Sequence, residues 1–321
     1  MKTRLIFVEG LPGSGKSTTA QYLARQLCLA GHDAAWVYES GQDHPVPFSY
    51  SPADHASPEH FVERCLAAWT EFARVAQHSP VISVMDGALL QTPLFGLMLH
   101  DVSRELMLEL ARNTLAAVER LAPKLVRLEA EDIELAMVQA CSRRYAGLLE
   151  LYVQRNQDSP YGRSRGLSGL HGLTRFWQAF REFCDRAVAL LGVEETKLLV
   201  AADQGHRTGP SILQRLAVAP VPDLTLAPPA LSAYAGRYEA PSGDASFAID
   251  VAGSELVARG PSPYLWEAGT TLLPRGAHAF EARSRPARLC FQLERGSVTG
   301  VELTASIAGL GAGPYFLRKV G

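Results

Sequence analysis

One stretch constrains this chain more than any other: Glu9-Gly10-Leu11-Pro12-Gly13-Ser14-Gly15-Lys16-Ser17-Thr18-Thr19. It follows an apolar run at residues 5–8 and leads into a helical pattern that continues through residue 27. The spacing G-x-x-x-x-G-K-S, placed between a strand and a helix, is that of a turn wrapped around phosphate. Its glycines let backbone N–H groups face phosphate oxygens, and the following helix directs its positive dipole end at the same anion. Leu11, Pro12, Gly13, Ser14, Gly15, Lys16, Ser17 and Thr18 are therefore the expected nucleotide-binding residues. Lys16 is expected to reach the β- and γ-phosphates, and Ser17 to hold Mg²⁺.

The 321 residues exceed one typical domain and predict two. With 47% apolar and 20% charged residues the chain can bury an ordinary core. A formal net charge of −2 offers no field to attract nucleic acid, so no such partner is expected. No stretch is long and apolar enough to span a bilayer, and the N-terminus shows no leader pattern. The five cysteines are scattered, without a C-x-x-C pair, which predicts reduced thiols and a cytoplasmic location.

Strand-like runs at residues 3–9, 34–39, 80–86, 124–128 and 197–200 alternate with helical patterns. The helices are predicted over 16–30, 58–77, 89–100, 103–121, 130–156, 170–191 and 208–216, and a mobile basic loop over 158–166. This alternation predicts an α/β fold of three layers, a parallel sheet with helices on both faces. Ligands of such sheets sit at the carboxyl ends of the strands, where Gly10 to Ser17, Glu39 and Asp86 all fall. Residues 1–217 form this first predicted domain, and the proline-rich stretch 218–230 a linker. In residues 231–321, eight short alternating runs predict a small antiparallel barrel or sandwich: 234–239, 247–251, 255–259, 264–266, 279–282, 288–293, 298–303 and 315–318.

Residues 1–217 resemble the P-loop kinases of the nucleoside and nucleotide kinase group. They are most similar to a bacterial family described as P-loop or thymidylate-kinase-like. The resemblance rests on Glu9 to Thr19, on Asp43-His44-Pro45 and on Tyr161-Gly162. It implies that Glu39 orients or deprotonates the acceptor hydroxyl. The chain departs from these kinases in one respect: they usually carry Arg after the acid of the third strand, and here Gly87-Ala88 follows Asp86. Residues 231–320 resemble the lipocalin-like domain that follows some serine β-lactamase-like enzymes. The similar stretches are Leu231-Ser232-Ala233-Tyr234-Ala235-Gly236-Arg237-Tyr238-Glu239 and Tyr315-Phe316-Leu317-Arg318.

Together these readings predict an ATP- and Mg²⁺-dependent kinase acting on a small-molecule hydroxyl, such as that of a nucleoside, an antibiotic or another metabolite. Lys16, Asp86 and Glu39 are the predicted catalytic residues. Asp86 either holds Mg²⁺ with Ser17 or accepts the acceptor's proton. Arg143 and Arg144 are expected on the nucleotide, and His44, Arg163 and Arg165 around the acceptor, with the arginines closing as a lid. Asp203-Gln204-Gly205 is expected to border the adenine. The alternative is a nucleotide-dependent switch with the barrel as its partner-binding module. In the kinase reading the barrel either dimerises the protein or helps to form the acceptor site.

Overall fold

Five apolar runs become the strands of one parallel sheet. In the computed structural model, which describes residues 2–48, 54, 57–200, 209–243, 246–260, 265, 268–306 and 313–320, these are β1 (Leu5–Gly10), β2 (Ala34–Val37), β3 (Ile82–Asp86), β4 (Lys124–Ala130) and β5 (Glu195–Val200), in the order β2-β3-β1-β4-β5. β1 is central, and Leu5, Ile6, Phe7 and Val8 are all fully buried. A strand covered on both faces has no solvent side, so it reads as an unbroken apolar run.

On one face, Ile6 and Val8 pack against Ala20, Leu23 and Leu27 of α1 (Lys16–Leu29). Ile212 and Leu213 of α9 (Gly209–Arg215) join them. On the other face, Leu5 and Phe7 meet α2 (Pro58–Ala76), α3 (Gln91–Leu99), α4 (Arg104–Val118) and α8 (Gly169–Leu191). Phe7 sets its ring edge-on to Trp69, 5.7 Å between centroids, a geometry that favours the ring quadrupoles. An ionic cluster ties the edge strand down: the buried Arg127 of β4 bonds Asp185 of α8 and pairs with Glu195 of β5, while Lys197 bridges Glu129 and Asp185.

Two predicted elements in this part need correction. The helical tract 130–156 is broken at residues 145–147 into α5 (Ile133–Arg144) and α6 (Leu148–Asp158). The basic segment 158–166 is not an irregular loop, because it contains α7 (Pro160–Ser164). Ser159 caps α7 by accepting from the Gly162 N–H at 2.9 Å, and Pro160 holds the first helical position, where its missing donor costs nothing. β2 also ends at Val37, which leaves Glu39 just past the strand.

The second unit is a closed barrel of antiparallel strands: β6 (Gly236–Glu239), β7 (Ser246–Ala252), β8 (Glu255–Arg259), β9 (Thr270–Gly276), β10 (Ala279–Ala282), β11 (Ala287–Glu294), β12 (Ser297–Ala305) and β13 (Tyr315–Val320). Its interior is filled by Tyr238, Phe247, Phe280, Phe291, Leu289 and Val301, as a small barrel's interior should be. The Tyr238 hydroxyl satisfies itself on the Tyr234 carbonyl at 2.7 Å. Of the predicted run 264–266, residues 264 and 266 lie outside the described residues and Leu265 is a bend. The strand in that part of the barrel is β9, which Pro274 hides from a propensity reading. The barrel tolerates this proline beside a register shift at Ala279/Phe280.

The first compact unit comprises residues up to 39, 44–141 and 147–221, and the remaining residues belong to the second. Residues 218–221 thus belong with the sheet: Gln26 of α1 donates to the Val221 carbonyl (2.9 Å) and accepts from its N–H (2.8 Å), and Val218 is buried. α10 (Pro228–Ser232) lies in the second unit. All five cysteines are free thiols. Among the described residues, no helix is long and apolar enough to cross a membrane.

Candidate functional site

The site grows from the carboxyl end of β1. The chain turns there at residues 11–14, where the Ser14 N–H donates to the Leu11 carbonyl at 3.1 Å. Gly13 has φ +85°, and a Cβ on it would lie 2.4 Å from the Ala136 carbonyl oxygen of α5. The loop can approach α5 this closely only without a side chain. Lys16 opens α1 almost fully buried, and the Ser14 hydroxyl is buried without a hydrogen-bond partner. An unpaired polar atom inside a loop of inward-facing amides suits a phosphate oxygen.

β3 pairs with β1 so that Asp86 lies opposite Val8. The Asp86 carboxylate is completely buried. Its Oδ2 accepts from Ser17 Oγ (2.5 Å), and its Oδ1 from Trp36 Nε1 (2.9 Å) and the Glu39 N–H (3.2 Å). Burial pushes its pKa up to about 7, and the neighbouring Glu39 charge adds to the rise, while Lys16, Ser17 and Trp36 oppose it. Glu39 leans the other way, its Oε2 3.4 Å from Lys16 Nζ. That oxygen is buried and accepts no hydrogen bond. The structure therefore brings Lys16, Ser17, Glu39 and Asp86 into one connected cluster.

Gly87 explains the missing arginine. It has φ +67°, and a Cβ on it would stand 2.7 Å from Glu39 Oε2, 3.0 Å from Thr92 Oγ1 and 3.3 Å from Lys16 Cε. With Glu39 in this position, no side chain fits at residue 87.

Glu9 serves the same neighbourhood from behind. It is buried, and its two oxygens accept from the Leu89 N–H (2.7 Å) and the Gln91 N–H (3.0 Å) at the start of α3. Burial raises its pKa, against the pull of those backbone donors and of Lys16. His44 is half-buried, with Nδ1 against the Val46 backbone and its ring tilted on Phe48 at 4.8 Å. Burial lowers its pKa while the Glu39 charge pulls upward, which places the imidazole within the field of Glu39.

The arginines are placed differently. Arg143 and Arg144 end α5, the helix that touches the phosphate loop at Ala136. Arg163 donates to the Asp158 carbonyl at 2.6 Å. Arg165 pairs with Asp101 at 2.8 Å and lies over the Tyr161 ring at 3.7 Å. These contacts hold Arg163 to the end of α6 and Arg165 between α7 and the turn at Asp101. Asp203-Gln204-Gly205 lies outside the described residues.

Two site residues escaped the sequence reading. Trp36 reads as an apolar strand residue, and nothing in its spacing reveals that its indole N–H serves Asp86. Thr92 sits six positions after Asp86 in a helix whose only other polar side chain is Gln91, a weak polar signal that only proximity makes meaningful. Among the described residues, no group of three or more His, Cys, Asp or Glu is arranged for a metal ion. A Mg²⁺ site made of one carboxylate, one hydroxyl, phosphate oxygens and water needs no such group.

No protein-family model and no curated protein sequence matches the chain. Among solved structures, a deoxyadenosine kinase from M. mycoides with bound dATP is similar at 14% identity and a TM-score of 0.35, covering 66% of this chain and 99% of that one. A sugar kinase from Janibacter sp. is similar at 18% identity and a TM-score of 0.30, covering 68% and 96%. Likenesses this distant identify neither an activity nor a substrate.

Proposed function

We propose that this protein is an ATP- and Mg²⁺-dependent phosphotransferase that phosphorylates a hydroxyl of a small molecule. The observation that carries this reading is the connected cluster itself: the two chemically active residues of the phosphate loop, Lys16 and Ser17, each contact an acid from a neighbouring strand end, Glu39 and Asp86.

The roles follow from the contacts. The phosphate loop takes the β- and γ-phosphates, with Ser14 Oγ and backbone N–H groups as donors. Lys16 then exchanges Glu39 for phosphate oxygens. Ser17 and Asp86 offer adjacent oxygen ligands for Mg²⁺, which neutralises phosphate charge when bound. A cation there offsets the burial that makes the Asp86 charge costly. Glu39, released by Lys16, has a bare buried oxygen for the acceptor's proton. His44, whose charge state feels Glu39, is the acceptor-lining candidate in this reading. Arg143 and Arg144 are nucleotide-binding residues in this reading on their place in the sequence alone. Arg163 and Arg165 can join the acceptor only by leaving Asp158 and Asp101.

The test is ADP formation against a panel of nucleosides, sugars and amino alcohols, with wild type and Glu39→Gln side by side. One class of hydroxyl compound should stimulate ADP formation and gain phosphate. Glu39→Gln should lower that turnover about 10²- to 10⁴-fold, with MgATP affinity retained. Slow hydrolysis that no hydroxyl compound stimulates, equal in both proteins, would favour a nucleotide switch instead.

A further inference from the structure

β2 is an edge strand of its sheet, yet the polar end of its tryptophan is not given to water. Trp36 is half-buried and packs against the apolar cluster that includes Ile6, Leu23 and Val84. Its ring also meets the buried Tyr38 edge-on, 5.5 Å between centroids. In the register of β2 on β3, Trp36 lies opposite Val84. Its Nε1 reaches past that partner to Asp86 Oδ1, at 2.9 Å. An indole N–H needs one acceptor, and here the acceptor is the fully buried carboxylate beside the phosphate motif.

An ionised carboxylate presents about four lone-pair sites, two on each oxygen. On Asp86, Oδ1 has both of its sites filled, by Trp36 Nε1 and by the Glu39 N–H at 3.2 Å. Oδ2 accepts from Ser17 Oγ and keeps one site open. None of these donors brings a positive charge. An indole, a peptide N–H and a hydroxyl orient a carboxylate without neutralising it, whereas lysine or arginine in the same place would cancel the charge that attracts a cation. Lys16, whose charge Asp86 feels, is paired with Glu39 instead.

We infer that Trp36 is a positioning residue of the metal site: its indole N–H, with the Glu39 N–H, fills Asp86 Oδ1 and leaves Oδ2, the oxygen beside Ser17, as the single one offered to Mg²⁺. The inference rests on the phosphotransfer reading above. A carboxylate filled on one side cannot grip a cation through both oxygens. That suits Mg²⁺, which requires near-octahedral geometry and keeps its other positions for the hydroxyl, phosphate oxygens and water. Partners that orient a ligand in this way commonly matter to metal affinity about as much as a weak ligand does. The same bonds separate the two acids. Asp86, fixed from behind by Trp36, serves the metal, and Glu39, which shares Oδ1 only through its backbone, keeps its side chain for the acceptor.

The test reads metal binding and needs no acceptor. Full-length protein is titrated by calorimetry with the β,γ-imido analogue of ATP, once with excess Mg²⁺ and once with EDTA. Two variants are compared with wild type: Trp36→Phe, and Trp36 replaced by its benzothiophene analogue, in which sulfur stands for the N–H and the ring shape is kept. Both should bind about tenfold more weakly with Mg²⁺ and like wild type in EDTA. In wild type, the Trp36 indole N–H resonance, identified by its absence from the analogue-substituted protein, should move when Mg²⁺ is added to the nucleotide complex. If the isosteric protein binds both forms like wild type, or weakens both equally, Trp36 only packs and the inference is wrong, whatever Trp36→Phe does. An indole resonance indifferent to Mg²⁺ would overturn it too. If wild type binds the nucleotide equally with and without Mg²⁺, or not at all, it is the phosphotransfer reading that fails.

Discussion

Ser17 Oγ donates to Asp86 Oδ2 at 2.5 Å, joining the last residue of the phosphate motif to a carboxylate from which water is wholly excluded. A buried carboxylate is costly when ionised, and three donors on Asp86 only partly compensate it. The ligand-free protein therefore carries a charge arrangement better suited to a bound cation than to itself.

Asp86→Asn should stabilise the ligand-free protein at neutral pH while abolishing phosphotransfer. The folded-state pKa lies above the usual 3.8, so this group's contribution to stability is full below about pH 4 and is lost as pH rises through about 7. Asparagine can keep the geometry: its oxygen accepts from Trp36 and Glu39, and its amide donates to Ser17. Thermal melts should show the variant gaining on the order of 1–3 kcal/mol over wild type at pH 8, and little at pH 4. Glu9 titrates in both proteins and cancels in the difference. An equal gain at both pH values would contradict the assignment.

Lys16→Ala should weaken MgATP binding at least tenfold by calorimetry, with an unchanged far-ultraviolet spectrum. It also leaves Glu39 and Asp86 adjacent without their shared cation. The variant should therefore lose stability at pH 8 relative to pH 5, the opposite sense to Asp86→Asn. Unchanged nucleotide affinity would remove the phosphate loop from the mechanism.

Gly87→Ala combines a left-handed backbone with a methyl 2.7 Å from Glu39 Oε2. It should cost about 1–3 kcal/mol in urea unfolding and should push Glu39 away from Lys16. Turnover should fall toward that of Glu39→Gln, with nucleotide affinity less affected. Full activity in Gly87→Ala would show that Glu39 need not occupy this position.

A fragment ending at residue 221 should fold alone and outlast one ending at 217. The shorter fragment strips the buried Gln26 amide of both Val221 partners and removes the buried Val218. The difference in urea midpoint should correspond to about 1–3 kcal/mol. Equal midpoints would mean that residues 218–221 add nothing to the first unit.

The sequence by itself determined the parts whose signal is local. The glycine-rich turn after β1 is legible because glycine, lysine and serine stand at set intervals within eight residues, the pattern of a backbone suited to wrapping an anion. The buried strands are legible because cover on both faces demands uninterrupted apolar runs, and Asp86 stands out as an acid closing one of them. The barrel's strands show by alternation, except β9, where Pro274 breaks the propensity while the fold accommodates it with a register shift. Only the tertiary structure decided which polar groups meet. Trp36 on β2 and Glu39 just past its end meet Asp86 at the end of β3, and Glu9 reaches a helix about eighty residues away in sequence. Strand order and burial bring these groups together, and neither leaves a trace in the spacing of the residues concerned.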